Sequence, residues 1–192
     1  MTKAKLLWVD LEMTGLKPGL DKILEVAVIA TDMDLNEVGR YEAVVKVNDN
    51  LMRERMRGDF WERNAETRAK LIAQNTSGKP VDEVEAEMLD FIKKHFGSYV
   101  YLAGNSIHQD RKFIEKEMPE LDRVLHYRML DVSAWKIYFE NALGMRFKKT
   151  EDHRALSDIE GSIAELKYYL GFINDGDKIK AGKNVEAKNE EG

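Results

Sequence analysis

Hydrophobic residues fall in short runs separated by polar breaks over the first fifty positions, a pattern that predicts strands. The runs begin at Leu6, Ile23 and Tyr41, and the breaks between them carry turn-forming residues. Strands joined by such short breaks are most simply antiparallel neighbours. We therefore predict a three-stranded meander, with a third strand from Tyr41 to Val47 and Gly39 at the end of the turn before it.

Helices and strands alternate in the second half of the chain. Pro80 can start a helix that carries one apolar stripe and ends near His95, which we interpret as a structural helix-end histidine. A fourth strand is predicted over 99–103, followed by a turn and a helix from His108 to the stop at Pro119. A fifth short strand over 128–131 then leads into another helix.

The last helix has the strongest local signal. Ser157 and Glu160 match a capping box, and a buried stripe is predicted for Ile159, Ile163, Leu166 and Leu170. After this helix the chain consists mostly of charged and small residues, with almost nothing to bury. We predict a single domain over residues 1–173 and a disordered tail over 174–192.

Composition places the chain among globular proteins that do not span a membrane. Its 192 residues are 43% hydrophobic and 34% charged, and no apolar run approaches the roughly 20 residues that a bilayer requires. The absence of cysteine fits a reducing compartment, so we expect a cytoplasmic protein. A net charge of -5 argues against a broad basic surface for long nucleic acid. A short anionic substrate held locally remains compatible with it.

Two carboxylates interrupt the apolar first strand and are the first candidates for chemistry. Asp10 and Glu12 are two positions apart, so on a strand they project to the same face, about 6.5 to 7 Å apart. Carboxylates so placed repel each other unless a cation lies between them, and oxygen ligands suit Mg2+ or Mn2+. The alternative is that the strand starts later and both acids are solvated in a loop.

Two further acids and a histidine could complete such a site. Asp110 and Asp158 each lie near the start of a predicted helix, where an acid also favours the helix dipole without any metal. His153 precedes Asp158 by five residues and would lie on the loop that leads into the same helix. A histidine beside an activated water has a pKa suited to accepting a proton near neutral pH.

Five sequence blocks resemble the motifs of the oligoribonucleases, within the DEDDh 3′-to-5′ exonuclease family. They are WVDLEMTGL at 8–16, GNSIHQDR at 104–111, MPEL at 118–121, HYRMLDVS at 126–133 and HRALSDI at 153–159. The resemblance implies an α/β, ribonuclease-H-like fold with a five-stranded mixed sheet flanked by helices. It also implies hydrolysis of very short RNA, dinucleotides especially, to nucleoside 5′-monophosphates by a homodimer.

The resemblance assigns roles to individual residues. It implies that Asp10, Glu12, Asp110 and Asp158 hold two Mg2+ or Mn2+ ions and that His153 is the general base. Substrate contacts are implied for Leu16 as a wedge between bases, Trp61 in the base pocket, Ser106, Arg128 and Ser133 on the 5′-phosphate, and Tyr127 reaching the dimer partner's site. The family usually has a histidine a few residues after that tryptophan, whereas this chain has Glu66.

Two rival functions are compatible with the same blocks. An exonuclease that trims longer DNA or RNA would need a basic track, which Arg53, Arg55, Arg57 and Arg63 could begin, although a solvated helix face explains these arginines as well. A catalytically silent nucleic-acid-binding module is the alternative from another class. The presence of all five active-site residue types argues against it.

Overall fold

The computed structural model describes residues 3–148 and 155–174, which form one five-stranded mixed sheet with helices on both faces. The strands are β1 (Ala4–Met13), β2 (Ile23–Thr31), β3 (Glu37–Val44), β4 (Phe96–Gly104) and β5 (Leu125–Asp131), in the spatial order β3-β2-β1-β4-β5. β1 pairs antiparallel with β2 and parallel with β4, while β3 extends the antiparallel side and β5 the parallel side. The predicted meander and the expected fold class are confirmed.

Eight helices connect and cover the strands in the described ranges. They are α1 (Asp49–Arg55), α2 (Asp59–Arg63), α3 (Ala65–Gln74), α4 (Val81–His95), α5 (His108–Glu117), α6 (Pro119–Val124), α7 (Val132–Leu143) and α8 (Ala155–Asn174). Pro119 ends α5 as predicted and also begins α6, since its fixed backbone angle suits the first helical position. None of these helices combines the length and the apolar character that crossing a membrane would require.

The alternation of side chains along β1 divides the apolar interior into two main cores. Leu7, Val9 and Leu11 face one side, where they pack with α4, α5 and α6. Leu6 and Trp8 face the other side, where α7 and α8 cover the sheet. A smaller third core forms around Met52, Met56 and Trp61, where α1, α2 and α3 pack beside the start of β2. The position of a residue along β1 therefore decides which helices it meets.

The boundaries predicted for β3 were wrong. The strand runs from Glu37 to Val44, and Gly39 lies inside it, opposite Ala30. A Cβ atom at Gly39 would lie 2.7 Å from Cε1 of His95, so any larger residue would displace this ring, which packs against the strand. His95 is the last residue of α4, as the sequence predicted. β4 and β5 also begin three residues earlier than predicted.

The predicted start of the last helix was wrong, and its predicted buried stripe was confirmed in part. α8 already includes Ala155, so Ser157 lies inside the helix and does not cap it. Within the predicted stripe, Ile159 and Leu166 are buried, while Ile163 and Leu170 are partly buried against the same core. The buried face also includes three residues that the prediction left out, Ser162, Glu165 and Tyr169. Hydrogen bonds explain why Glu165 and Tyr169 can be buried on this helix, since Glu165 accepts hydrogen bonds from Asn105 and Tyr169. The predicted disordered tail lies outside the described residues beyond Asn174.

Candidate active site

The site begins on β1, where the strand direction brings Asp10 and Glu12 to the face covered by α8. Both residues share the side of the strand that Leu6 and Trp8 occupy, and Trp8 packs in the same core as Ile159 of α8. Asp158 precedes Ile159 on that helix. The fold therefore brings an acid from the end of the chain to the face of β1 that carries the first two.

Asp110 reaches the same end of β1 from the parallel side of the sheet. Because β4 runs parallel to β1, its carboxyl end and the helix that follows it lie beside the carboxyl end of β1. Asp110, in the first turn of α5, accepts a hydrogen bond from the backbone amide of Leu11 at 3.1 Å. This bond holds the Asp110 carboxylate against the backbone of Leu11, the residue between Asp10 and Glu12.

Burial and mutual repulsion raise the pKa values of two of these acids. Burial, together with the negative charges of Glu25, Asp158 and Asp110, raises the pKa of Glu12 to about 7. Burial also raises the pKa of Asp110 to about 7, although hydrogen bonds from the Leu11 amide and its own amide oppose the shift. Because the charges of Asp110 and Asp158 both raise the pKa of Glu12, the three carboxylates lie near one another, and a cation among them would relieve the repulsion.

Glu25 is a neighbour of the site that sequence reasoning missed. It lies on β2 directly opposite Glu12, and its carboxylate accepts a hydrogen bond from Gln74 at 2.6 Å. The available signal was a glutamate inside the otherwise apolar run over 23–31, which has the same form as the signal that identified Glu12. Only the strand register shows that the two glutamates face each other.

The donor set fits hard divalent cations. Within residues 3–148 and 155–174, no three His, Asp or Glu side chains converge closely enough to hold an ion as they stand. Oxygen ligands are nevertheless what Mg2+ and Mn2+ prefer, and side-chain rotation can bring repelling carboxylates together once an ion screens their charges. Asp10, Glu12, Asp110 and Asp158 are the residues that would hold it.

A cleft of about 490 Å³ beside the acids contains two of the expected base contacts. Leu16, at a loop tip, is 73% exposed, whereas Trp61 is only 5% exposed and lines the inner wall of the cleft. The Trp61 indole donates a hydrogen bond to the Thr14 carbonyl at 3.1 Å, and its ring packs edge-on against Phe60. The fold thus brings Leu16 and Trp61 to one apolar slot that Glu12 also borders.

A second cleft of about the same volume lies on the other side of Glu12. It is lined by residues of β1, β2 and β3, of α3 and of the first turn of α8. These include Glu25, Lys70, Gln74 and Ser157. Glu66 does not line this cleft. It forms a solvent-exposed ion pair with Lys70 at 2.6 Å. Among the four acids, Glu12 borders both clefts, so its carboxylate lies where the two spaces meet.

Two hydroxyl groups expected to bind phosphate lie side by side at the ends of β4 and β5. The Ser106 and Ser133 Oγ atoms are 3.2 Å apart. Ser106 adopts a positive φ of 51°, and its amide donates to Asp131 Oδ1 at 3.0 Å and to Ser133 Oγ at 2.9 Å. Asp131, which sequence reasoning missed, also caps α7 by accepting from the Ser133 amide. Its signal was an acid immediately before a helix.

Tyr127 and Arg128, also expected to bind substrate, lie together on β5. Tyr127 is 71% exposed on β5, and the Arg128 guanidinium lies 4.9 Å from the centre of its ring. Among the hydrogen bonds described for the two resolved ranges, none joins the Arg128 side chain to Ser106 or Ser133. His153 lies outside the described residues.

Comparison with known proteins identifies relatives along most of the chain. A sequence profile of the exonuclease family that includes RNase T matches residues 7–166. The chain is 41% identical over 169 residues to an oligoribonuclease of Thiobacillus denitrificans, an alignment that covers 85% of this chain and 92% of the relative. It is also 41% identical over 176 residues to an oligoribonuclease of Aeromonas hydrophila, with coverage of 88% and 94%.

Solved structures of larger exonucleases share the fold. Exonuclease I from Methylocaldum szegediense superposes with a TM-score of 0.61 at 18% identity, over 83% of this chain and 38% of that one. Exonuclease I of E. coli in complex with a dT13 oligonucleotide gives a TM-score of 0.61 at 14% identity, over 93% and 43%. The chain therefore spans about two fifths of these structures, and at such low identity the likeness concerns the fold alone.

Proposed function

The chain belongs to the exonuclease family that includes RNase T, and from this premise we propose that it is a 3′-to-5′ exoribonuclease that degrades very short RNA, dinucleotides especially. The observation that carries the proposal is Glu12, a buried carboxylate that is crowded by other acids and borders two clefts. One cleft offers an apolar slot for bases, and in the proposed complex the phosphodiester between two nucleotides lies beside Glu12.

The reaction consists of hydrolysis of the phosphodiester at the 3′ end. Water attacks phosphorus, the bond to the 3′-oxygen of the preceding nucleotide breaks, and the products are a nucleoside 5′-monophosphate and a free 3′-hydroxyl. We propose that Asp10, Glu12, Asp110 and Asp158 together hold two Mg2+ or Mn2+ ions. When bound, these ions stabilise negative charge on the attacking and departing oxygens and lower the pKa of the attacking water.

The residues of the chain supply the proton transfer and the positioning. His153 accepts the proton of the attacking water on an imidazole nitrogen, a role that suits its ordinary pKa of about 6.5. Leu16 and Trp61 hold the bases, while the hydroxyls of Ser106 and Ser133 hold the 5′-phosphate together with Arg128, whose planar guanidinium suits phosphate oxygens. A pocket that encloses the 5′-phosphate leaves little room for a longer chain.

The rival reading, an exonuclease for long substrates, depends on four arginines, three of which make hydrogen bonds within the protein. Arg55 is engaged by Asp21, while the Nε atoms of Arg57 and Arg63 donate to backbone carbonyls of their own helical segments. Salt-dependent binding of a long polyanion requires cations that face the substrate together. These arginines therefore support a folded local structure around the cleft more directly than a track.

We further propose that the protein acts as a cytoplasmic homodimer. β5 is an edge strand, and Tyr127 and Met129 project from it as exposed apolar side chains. Exposed edges with apolar side chains are typical of surfaces that another chain covers. In such a dimer Tyr127 would contribute to the neighbouring protomer's substrate site, as the family resemblance implies.

Hydrolysis of an RNA ladder tests the proposed function. We expect 5′-phosphorylated RNAs from two to about ten nucleotides to be cleaved in Mg2+ or Mn2+, with kcat/KM highest for the dinucleotide because both of its ends fit the enclosed site. EDTA should abolish the hydrolysis. Full activity in EDTA would contradict the metal-dependent reaction, and equal kcat/KM values at every length would contradict the preference for dinucleotides.

A further inference from the structure

The loop that presents Leu16 is held on several sides. We name residues 14–17 the wedge loop. Its Thr14 carbonyl accepts from the Trp61 indole at 3.1 Å, its Leu16 carbonyl accepts from Gln109 Nε2 at 2.9 Å, and its Lys17 amide donates to Asp21 at 2.9 Å. The Leu16 side chain is nevertheless 73% exposed. The backbone of the loop is thus fixed while the apolar side chain it carries remains open to a ligand.

Asp21 is the buried centre of this arrangement. Only 1% of the residue is exposed, and its carboxylate accepts from Thr14 Oγ1 at 3.1 Å as well as from the Lys17 amide. A Cβ atom on Gly15 would lie within 2.8 Å of three Asp21 carboxyl atoms, so the loop passes directly over the carboxylate. The proposed mechanism does not use this buried charge.

Arg55 neutralises Asp21 from the last residue of α1. Its Nε atom donates to Oδ1 at 2.7 Å and its Nη2 atom to Oδ2 at 3.2 Å, a two-point pairing that fixes the relative orientation of the groups. The neighbouring Arg53 is exposed on the same helix. Arg55 therefore connects the wedge loop to the helical segment that leads into α2, where Trp61 lies.

We propose that Asp21 and Arg55 are positioning residues that hold Leu16 and Trp61 at a fixed separation, forming a preformed slot for the two bases of a dinucleotide. This inference rests on the proposed function and adds a determinant of specificity to it. Leu16 belongs to the loop above Asp21, and Trp61 belongs to the segment that Arg55 joins to it. The Asp21–Arg55 ion pair therefore joins the segment that carries Leu16 to the segment that carries Trp61.

Preorganisation gives the pair its effect on the reaction. A slot that is already ordered requires no loop ordering when substrate binds, and the scissile phosphate is then placed accurately against the acids. Glu12 lies next to the last residue of β1, and Thr14 follows that strand directly, so a displaced wedge loop would change the placement of substrate relative to the acids. Loss of the ion pair should therefore lower kcat/KM mainly for substrates that present two bases.

The experiment compares three full-length variants on two substrates. Arg55→Met removes both hydrogen bonds to Asp21 but keeps the length of the side chain, Arg55→Lys retains the charge with one point of attachment, and Arg53→Met is the matched control on α1. The substrates are a 5′-phosphorylated RNA dinucleotide and thymidine 5′-(4-nitrophenyl phosphate), which has a single nucleoside and an activated leaving group. Thermal unfolding is measured for every variant, and assays are run well below the lowest midpoint.

We expect Arg55→Met to lower kcat/KM for the dinucleotide by about 10- to 100-fold and for the nitrophenyl ester by less than about threefold. Arg55→Lys should fall between Arg55→Met and the wild type, and Arg53→Met should match the wild type. Equal losses on both substrates would show a general structural defect and overturn the inference, as would unchanged dinucleotide hydrolysis in Arg55→Met. Absence of dinucleotide hydrolysis by the wild type would instead overturn the proposed function.

Discussion

At the scale of single residues, the site is defined by carboxylates placed where their charge is unfavourable. Glu12 and Asp110 have pKa values raised to about 7 by burial, and Asp158 adds to the repulsion felt by Glu12. Such an arrangement lowers stability without a counter-charge and is typical of sites selected for chemistry. Each acid should therefore matter more for activity than for folding.

Replacement of Asp158 separates these two effects. We expect Asp158→Asn to lower kcat by about 10³-fold or more, because a metal ligand is weakened. Its midpoint of thermal unfolding in EDTA should equal or exceed that of the wild type, because one repelling charge is removed. Glu160→Gln is the control, since Glu160 lies on the same helix and pairs with Arg40 at the surface. Near-normal turnover by Asp158→Asn would contradict its role as a ligand.

The assignment of His153 as the base rests on the sequence and predicts a change in pH dependence. A histidine base must be neutral, so wild-type kcat should decline as pH falls below about 6.5. We expect His153→Ala to lower kcat by roughly 10²- to 10⁴-fold and to lose this acidic decline. The measurement is a pH profile of kcat from pH 5 to 9 for both proteins. An acidic limb retained in the variant would assign it to another group.

At the scale of elements, the ends of strands bring the functional groups together. β1, β4 and β5 are parallel neighbours, so their carboxyl ends meet at one edge of the sheet, and the segments that follow them carry Leu16, Ser106 and Ser133. Hydrogen bonds between these segments then fix the details. The Ser106 amide bonds to Asp131, and Gln109 bonds to the Leu16 carbonyl.

The connection between the wedge loop and α1 predicts a pH dependence of stability. Burial raises the pKa of Asp21, but hydrogen bonds from Arg55, the Lys17 amide and Thr14 outweigh it, and the pKa lies below its ordinary value. A carboxylate whose pKa is lower in the folded state stabilises the fold above its unfolded-state pKa of about 3.9, and this contribution is lost as pH falls through the folded-state pKa.

Urea unfolding of Asp21→Asn checks this expectation. The variant should be less stable than the wild type by about 1.5 to 3 kcal/mol at pH 7, because the charged acceptor of Arg55 is lost. The difference should begin to shrink below about pH 4, where Asp21 of the unfolded chain becomes protonated, and it should be lost as pH falls through the lower folded-state pKa. Glu66→Gln, which removes one member of the exposed Glu66–Lys70 pair, should leave stability essentially unchanged, because solvent screens that pair. A pH-independent difference for Asp21→Asn would refute the assignment.

At the scale of the whole molecule, the edge of the sheet at β5 has the features of a surface that another chain covers. β5 ends the parallel side of the sheet, and Tyr127 is exposed there beside Arg128. The following helix, α7, also exposes Ile137 and Tyr138. A two-fold dimer through this side would cover these residues symmetrically and would carry Tyr127 to the partner.

Mixing two inactive variants tests that arrangement. Tyr127→Ala and Asp158→Asn should each be nearly inactive as homodimers, since one lacks the contact given to its partner and the other lacks a metal ligand. After subunit exchange, mixed dimers contain one complete site, so activity should recover to about one quarter of the wild-type value for equal mixing. Light scattering of each variant establishes that dimers are present. No recovery between verified dimers would rule out a shared site.

The sequence alone determined the features that depend on neighbouring residues. Period-two alternation placed Asp10 and Glu12 on one face of a strand, the apolar runs predicted the meander, and the motif blocks identified the family. Helix ends were less accurately predicted, because Ser157 satisfies the capping pattern yet lies inside α8. Local sequence signals describe which caps are possible, and packing decides which of them is used.

Tertiary structure decided the relations between distant segments. The register of β2 against β1 set Glu25 opposite Glu12, and the parallel strands brought Ser133 to Ser106. Arg55 and Asp21 are 34 positions apart, and no local sequence pattern in either segment predicts their pairing. The physical reason is that periodicity and turn chemistry act over a few residues, whereas buried charges find partners only after strand order and helix packing have fixed which surfaces meet.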